Sequence, residues 1–366
     1  MNRRGETFPF LLEMTNLAQL DFAAFLSRNN FAATRLRIIT GKEHSRGISE
    51  AFAKRIRGMP IEIVYAASNE IAVHESICKT HTHCDNALLV VGIGGGAVLD
   101  IAKYHATQLK VPYLAIPTVI SNDGVASPIA ILKNTLGDVQ SYSTAPPIGI
   151  LIDQGILSRA PDWALANGMG DILSNHAAVM DWDLAIARGH EEPNALARMM
   201  SRTAVQNVLV SPARLSEPAF LERYINAIVL SGLAMYISGN SRPCSGAEHL
   251  LAHVITKDQP TRYGHGFLVG SIAPFVAWLH DPKDRSLLPL AKVLGLKLNF
   301  ASLLGNSRNF GSLLDEARCI RGKRFTILNE YSNEELLARY QAYLRFAREA
   351  PRTTPSQHGT FAAPSP

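Results

Sequence analysis

Three histidines stand within 17 residues of one another: His249, His253 and His265. His249 and His253 are four positions apart, so on a helix they share a face one turn apart. His265 follows between Gly264 and Gly266. Imidazole is a nitrogen donor that is largely neutral near pH 7, and three of them suit a catalytic zinc site that keeps one coordination position open. A carboxylate would complete the set, and Asp171 in Gly168-Met169-Gly170-Asp171-Ile172-Leu173-Ser174-Asn175 is the candidate. Glu248 precedes the first histidine instead of lying between the pair, so the arrangement is not the H-E-x-x-H of metalloproteases. A lone histidine would more simply satisfy a buried polar group; the clustering points to metal. A second donor-rich stretch, Cys78-x-x-His81-Thr82-His83-Cys84, falls between a predicted helix and a predicted strand and reads as a connecting loop.

A different chemistry is written in Gly92-Ile93-Gly94-Gly95-Gly96, which follows the apolar run Ala87–Val91 and opens the helical pattern AVLDIAKYHATQ. Backbone amides at a helix N-terminus attract phosphate, and glycines let it come close. Gly92-x-Gly94-x-x-Ala97 matches G-x-G-x-x-A, but it follows the third predicted strand and not the first. The next strand ends in Pro117-Thr118, without the ribose-binding acid of the ordinary dinucleotide fold. Beyond that strand, Pro117-Thr118-Val119-Ile120-Ser121-Asn122-Asp123-Gly124-Val125-Ala126-Ser127-Pro128 combines turn residues with hydroxyl, amide and carboxylate groups. Such a loop at the carboxyl end of a parallel strand serves equally as turn chemistry or as a ligand site.

The elements that must position these groups change character near residue 156. Before it, short apolar runs (36–41, 61–66, 87–91, 113–117 and 148–152) alternate with helical patterns (46–58, 70–80 and 97–109). That alternation predicts a parallel α/β sheet with right-handed crossovers. After it, helical patterns dominate, among them 194–209, 218–238 and 333–349. The expected organisation is an α/β dinucleotide-binding domain over 1–155, a helical metal- and substrate-binding domain over 156–350, and a disordered Pro/Ser/Thr-rich tail over 351–366.

Composition narrows the partners. The chain has 366 residues, enough for two domains at roughly 100–200 residues each. Thirty-six Lys and Arg against 31 Asp and Glu leave a net charge of +5, spread along the chain. The densest basic cluster, Arg321-Gly322-Lys323-Arg324, is too short for a nucleic-acid arm. Four cysteines indicate a reducing compartment. No signal peptide and no membrane span is read, so a cytoplasmic protein with a small-molecule substrate is expected.

Together GIGGGAVLDIAK, IPTVISNDGVASP, GMGDILSN, SRPCSGAEHLLAH and GHG, with RGKRFTILNE near the end, resemble the glycerol-1-phosphate dehydrogenase family. This family lies within the dehydroquinate synthase-like and iron-containing alcohol dehydrogenase superfamily. The motifs run in register across roughly residues 35–330. The resemblance implies an N-terminal α/β domain, an all-α C-terminal domain and an active site in the cleft between them. It also implies a homo-oligomer and a role in phospholipid metabolism.

Carried over, Gly94, Gly95, Gly96, Ala97, Val98, Leu99 and Asp100 would cradle the pyrophosphate of NAD or NADP. Thr118, Val119, Ile120, Ser121 and Ser127 would hold the nicotinamide half. Asp171, His249 and His265 would bind the metal, zinc by expectation, with nickel or iron(II) as alternatives. His253 moves from the metal to the substrate, beside Asp123 and Asp171. The metal would polarise a carbonyl oxygen, NAD(P)H would deliver hydride, and His253 or a water at the metal would supply the proton. The substrate would be dihydroxyacetone phosphate, reduced to sn-glycerol 1-phosphate. Arg242, Lys257 and Arg262, near the histidines in sequence, are the cations expected at its phosphate.

Three features depart from the family or lack a role. Asn122 stands where the family often has histidine. Ala66-Ala67-Ser68-Asn69 ends the second predicted strand without a ribose acid, which leaves NADP open. His176 near Asp171 has no assigned partner. A sugar-phosphate cyclase with transient NAD use is the alternative chemistry, though residues 194–209 offer it only Arg198 and Arg202 as cations. A non-catalytic nucleotide-binding member is the second alternative, against which the intact metal donors count.

Overall fold

The computed structural model describes residues 11–79, 87–209, 217–258, 263–305 and 308–349. They divide into two compact units, one running to Ile120 and resuming over Gly124–Ala160, the other formed by Ser121–Asp123 and Pro161 onward. Helix α5 (defined below) therefore belongs with the first unit, beyond the 155/156 boundary expected, and three residues of the second loop belong with the second. The expected tail and the His81-Thr82-His83-Cys84 stretch lie outside the described residues.

The first unit runs β1 (Leu11–Met14), α1 (Phe22–Arg28), β2 (Arg35–Gly41), α2 (His44–Arg55), β3 (Ile61–Ala66), α3 (Ile71–Lys79), β4 (Leu88–Gly94) and α4 (Gly96–Leu109). It continues β5 (Tyr113–Pro117), β6 (Ile129–Lys133), β7 (Val139–Ser143), β8 (Gly149–Ile152) and α5 (Gln154–Leu157). Six parallel strands form one sheet in the order β1-β8-β5-β4-β2-β3, and β6 pairs with β7 as a separate antiparallel hairpin. Central strands buried on both faces need apolar residues at successive positions. Leu89, Val90, Val91, Ile93, Leu114 and Ile116 supply them and are fully buried. Strand β1 at the sheet edge and the β6–β7 hairpin were not read from the sequence, and β1 makes the glycine run follow the fourth strand.

The second unit, among its described residues, is helical: α6 (Asp162–Ala187), α7 (Ala195–Leu209), α8 (Pro218–Ser238), α9 (Ala247–Asp258), α10 (His265–His280), α11 (Leu288–Val293), α12 (Phe310–Ile320) and α13 (Asn333–Glu349). Contrary to the expectation of no candidate span, α8 is long and apolar enough to cross a membrane by length and composition alone. Its apolar side chains, Ile225, Ile228 and Ala234 among them, are buried against neighbouring helices of this unit, as in a core helix.

Glycines set the closest approach. A methyl group on Gly266 would fall 1.7 Å from the Asn167 carbonyl oxygen, and one on Gly170 would fall 2.2 Å from that of Gly266. Backbone therefore meets backbone between α6 and α10, which no larger residue permits. Each glycine is the chain neighbour of a metal-site residue, Gly170 of Asp171 and Gly266 of His265. The contact that costs helix propensity, about 1 kcal/mol per glycine, is the one that brings the two donors together.

Candidate active site and metal centre

Helix α6 carries Asn167, Asp171 and Asn175 at four-residue spacing, a polar row along one face of a largely buried helix. Each side chain has a task. Asn167 Oδ1 accepts the Phe267 amide at 2.7 Å and so caps α10 directly behind His265. Asp171, 4% exposed, accepts the Asp123 amide on Oδ2 at 3.0 Å and turns Oδ1 toward two imidazoles. Asn175 Nδ2 donates to Ser231 Oγ at 3.0 Å, and Ser231 donates to Asp123 Oδ2 at 2.9 Å. Asp123 is thereby held at both its backbone and its carboxylate.

The two imidazoles come from separate helices. His265 Nε2 lies 3.6 Å from Asp171 Oδ1, and His249 Nε2 lies 3.9 Å from the same oxygen. One donor atom from each of these three residues falls within 4.8 Å of the other two. Bonds of 2.0–2.2 Å in a tetrahedral site put donors about 3.4 Å apart, so a small contraction would seat a divalent cation. Burial raises the affinity of Asp171 for its proton and lowers that of His249, to which the neighbouring His265 and His253 add. His265 is lowered by burial too. Neutral nitrogens around a buried carboxylate without a counter-cation are the set a metal ion takes.

Glu248, beside the first histidine, has a function the sequence did not reveal. It is fully buried, and its Oε1 accepts from His249 Nδ1 at 2.8 Å and from the Gly246 amide at 2.7 Å. With Nδ1 occupied as donor, Nε2 keeps its lone pair toward Asp171. Burial, and then the Asp181 charge, push Glu248 up to about 8. Asp181, also fully buried, accepts the Ala247 amide at the head of α9 at 2.6 Å, the Ile327 amide at 2.7 Å and His280 Nε2 at 2.9 Å. One carboxylate thus ties α6, α9, α10 and the 327–330 turn around the metal site.

His253 stands beside the cluster and outside it. Its ring centroid is 6.2 Å from that of His249 and 5.9 Å from that of His265. Burial holds it down to about 3, with His265, Arg321 and Arg324 contributing. Of the i,i+4 pair, His249 belongs to the three converging donors and His253 does not.

The expected phosphate cations are elsewhere. Arg242 is 2% exposed; its Nε donates to Glu191 Oε1 and its Nη1 to the Phe325 carbonyl, both at 2.7 Å. It anchors the 325 region through Nε and Nη1, and its Nη2 is buried without a hydrogen-bond partner. Lys257 is exposed and paired with Glu316 at 2.7 Å. Arg262 lies outside the described residues. Among the described residues, Arg321 of the Arg321-Gly322-Lys323-Arg324 cluster reaches His253, and Arg324 bonds to Ser241 and Ser245 beside it. Arg321 Nη2 lies 3.4 Å from His253 Nε2. His176 pairs with Asp284, Nε2 to Oδ2 at 2.7 Å.

In the first unit, Gly95 is the N-cap of α4, extended at φ −81° and ψ −178°, with Gly96 and Ala97 behind it. A methyl on Gly94 would lie 2.6 Å from Val98 Cβ, and one on Gly95 2.9 Å from Val119 Cγ1. The Thr118 amide donates to the Gly94 carbonyl at 3.0 Å. The glycine turn and the start of the second loop are thus one surface, carrying Thr118, Val119 and Ile120. Asp100 is not free for a ligand: Oδ1 pairs with Lys103 at 2.8 Å and Oδ2 accepts the Ile131 amide at 3.1 Å. Lys103, fully buried, also donates to the Gly124 carbonyl at 2.7 Å and reaches Ser127 Oγ at 3.4 Å, so it fixes the end of the loop. Leu99 is buried in the same helix. Ser121 belongs to the second unit, where its carbonyl accepts from Asn167 Nδ2 at 3.4 Å.

Strand order corrects the reading of the ribose position. The neighbour of β4 is β2, and β3 lies at the sheet edge. The residues after Ala66 are therefore one strand removed from the glycine turn. The relevant turn follows β2, as Gly41-Lys42-Glu43-His44-Ser45, and a methyl on Gly41 would lie 3.6 Å from Val98 Cγ2 at the head of α4. Connections leave β2 and β4 in opposite directions across the sheet, the switch point where open α/β sheets take ligands.

These features coincide with known proteins. The model of the iron-containing alcohol dehydrogenase family matches residues 16–161. A probable glycerol dehydrogenase from Sinorhizobium meliloti has the same fold, with a TM-score of 0.69 at 20% identity over 93% of this chain and 98% of that one. Glycerol dehydrogenase from Schizosaccharomyces pombe gives 0.70 at 18% identity over 93% and 89%. The fold is thus that of the iron-containing alcohol dehydrogenases, an α/β domain followed by an all-α domain of the dehydroquinate synthase-like kind. Nearer in sequence are two proteins named glycerol-1-phosphate dehydrogenase [NAD(P)+]. That of Methanothrix thermoacetophila is 37% identical over 65% of this chain and 68% of its own length, and that of Thermofilum pendens 35% over 77% and 82%. The chain belongs to the glycerol-1-phosphate dehydrogenase family of oxidoreductases.

Proposed function

We propose that the chain is a metal-dependent NAD(P)H oxidoreductase that reduces dihydroxyacetone phosphate to sn-glycerol 1-phosphate. The observation that carries this reading is the convergence of Asp171, His249 and His265 within 4.8 Å, beside His253, in a member of this family. The α4 head and its glycines hold the dinucleotide pyrophosphate through backbone amides. Thr118–Ser121 and Ser127 keep the nicotinamide half. Asp171, His249 and His265 hold a divalent cation, zinc by preference, with nickel or iron(II) compatible with the same donors. That cation supplies Lewis-acid polarisation of the substrate carbonyl, and the reduced nicotinamide supplies hydride.

The remaining tasks fall to this chain's own side chains. Asp123, locked by Ser231 and by its own amide, orients a substrate hydroxyl. His253 is the titratable group on the substrate side and exchanges the proton with the substrate oxygen at a ring nitrogen. Glu248 keeps the His249 tautomer. Cys78, Cys244 and Cys319 are free, which supports a cytoplasmic setting, and we read the active form as a homo-oligomer.

The test is absorbance at the reduced-nicotinamide band, with zinc-loaded protein, dihydroxyacetone phosphate, and NADH or NADPH in parallel. Oxidation is expected, lost in Asp171→Ala and in His249→Ala. No oxidation by protein that still binds zinc and nucleotide would overturn the reading and direct attention to cofactor-recycling cyclase chemistry.

A further inference from the structure

We infer that Arg321 and Arg324 form an anion subsite that takes the phosphate of the substrate, one histidine ring away from the metal cluster. The identification of the anion rests on the proposed function; the subsite itself rests on the side chains.

Both arginines follow α12 and both are half-buried. They converge on one hydroxyl: Arg321 Nη1 donates to Ser241 Oγ at 3.1 Å, and Arg324 Nη2 donates to the same oxygen at 2.9 Å. Arg324 also donates to the Ser245 carbonyl, and Arg321 Nη1 lies 3.5 Å from Ser245 Oγ. Ser241 Oγ accepts from both guanidinium groups, so its own O–H is left to donate. Arg321 Nη2 faces His253 Nε2 at 3.4 Å.

No carboxylate among the described residues lies within 4 Å of either arginine. The other buried arginines differ: Arg37 pairs with Glu62 at 2.9 Å and Arg242 with Glu191 at 2.7 Å. The nearby acid, Glu248, is engaged with His249 Nδ1 and the Gly246 amide and makes no ion pair with either arginine. Burial lowers both arginines, Arg324 to about 9, and the neighbouring Arg321 and Arg242 charges press it further down. Two like charges partly withdrawn from water without a direct ion pair are costly for the empty protein. An anion that accepts from both forks removes that cost, and a phosphate dianion has the oxygens to do so. The position fits a short ketone that carries its phosphate one carbon from the carbonyl.

The experiment compares wild type with Arg321→Gln, Arg321→Lys and Arg324→Gln. Inorganic phosphate is titrated calorimetrically into zinc-loaded protein under saturating NAD+, which fills the pyrophosphate turn. The Michaelis constant for dihydroxyacetone phosphate is measured alongside, with zinc content and NADH affinity as folding controls. Wild type should bind phosphate, and Arg321→Gln should weaken it about 30- to 100-fold. The same factor should appear in KM more than in kcat, dihydroxyacetone should lose far less, and Arg321→Lys should recover part. Should Arg321→Gln fail the folding controls, Arg324→Gln carries the same test. Phosphate binding that is absent in wild type, or undiminished in the variants, overturns the subsite. Arg321-dependent phosphate binding without reduction of dihydroxyacetone phosphate keeps the subsite and overturns the proposed function instead.

Discussion

In the first unit, the surface proposed for the nucleotide is a continuous piece of chain: β4 ends, three glycines turn, α4 begins, and the ligand would meet backbone. In the second, Asp171, His249 and His265 sit at the middle of α6, near the start of α9 and at the head of α10. There the ligand meets side chains, and each is placed by other side chains. The difference predicts how the two fail. A surface made of backbone amides tolerates most side-chain changes and is sensitive to added Cβ atoms. A surface made of three converging donors is sensitive to each donor and to the groups that aim it. Because the glycine turn lies in the first unit and the three donors lie in the second, damage to one should leave binding at the other intact.

The largest effects should come from the donors. His249→Ala and Asp171→Ala should lose zinc and drop kcat/KM for ketone reduction by about 10³-fold or more, the size of a Lewis-acid contribution of several kcal/mol. NADH affinity, followed by fluorescence, should stay within a few-fold of wild type. If NADH binding vanishes with the zinc, the separation into a backbone-built and a side-chain-built half is wrong. Gly266→Ala tests the scaffold of the same centre. Its added methyl meets the Asn167 carbonyl oxygen at 1.7 Å, and backbone cannot rotate away. A stability loss of about 4 kcal/mol or more is expected in urea unfolding, with zinc lost from whatever folds.

Two intermediate effects sharpen the contrast from either side. Glu248→Gln keeps the shape and can still accept from His249 Nδ1, but it removes the carboxylate that backs the metal ligand. Zinc affinity, measured by chelator competition, should fall about 10- to 100-fold, with Nε2 still oriented. An unchanged affinity would make Glu248 an N-terminal brace of α9 and nothing more. Gly94→Ala addresses the other half. The methyl would sit 2.6 Å from Val98 Cβ, an atom fixed to the α4 backbone, so the glycine turn itself must shift. NADH affinity should weaken about tenfold, the worth of one charge-assisted bond to the pyrophosphate, while zinc content holds.

The same distinction decides what the sequence disclosed. The glycine run was legible because local spacing is the mechanism: strand, turn and helix N-terminus are contiguous. The histidines were legible as a cluster, but their roles were not. Spacing paired His249 with His253, and only the resemblance moved His253 to the substrate side. Asp181, Asn167 and Lys103 act through contacts between elements, which no single-segment pattern encodes; Glu248 acts on its own chain neighbours, Gly246 and His249. The Asn167, Asp171, Asn175 row at four-residue spacing was the one available signal, since polar groups on one stripe of an apolar helix need partners. Arg242 was chosen for sequence nearness to the histidines and proved to be paired with Glu191, whereas Arg321 arrives from 68 residues beyond His253. Strand order, likewise, is not readable from strand sequence: β2, and not β3, lies beside β4.

The smallest effect concerns a donor that only resembles a ligand. His176 lies five residues beyond Asp171, yet its ring is bonded to Asp284. His176→Asn should therefore keep zinc and activity near wild type, and any loss of zinc would bring His176 into the centre after all. The pair does contribute to stability. Hydrogen bonds from His176 and from Ser286 outweigh burial and hold Asp284 at about 2, below its ordinary 3.8. A carboxyl depressed by folding stabilises while it is ionised in the unfolded chain as well. The contribution is therefore fully present above pH 3.8 and declines as pH falls toward 2. Nearly two units correspond to about 2 kcal/mol for a side chain only 13% exposed. Asp284→Asn should lower the unfolding free energy obtained from urea titration by about that amount at pH 7, and the gap from wild type should begin to close below about pH 4. A gap that stays constant through that range would assign the loss to packing, and would leave the His176–Asp284 contact as geometry without electrostatic weight.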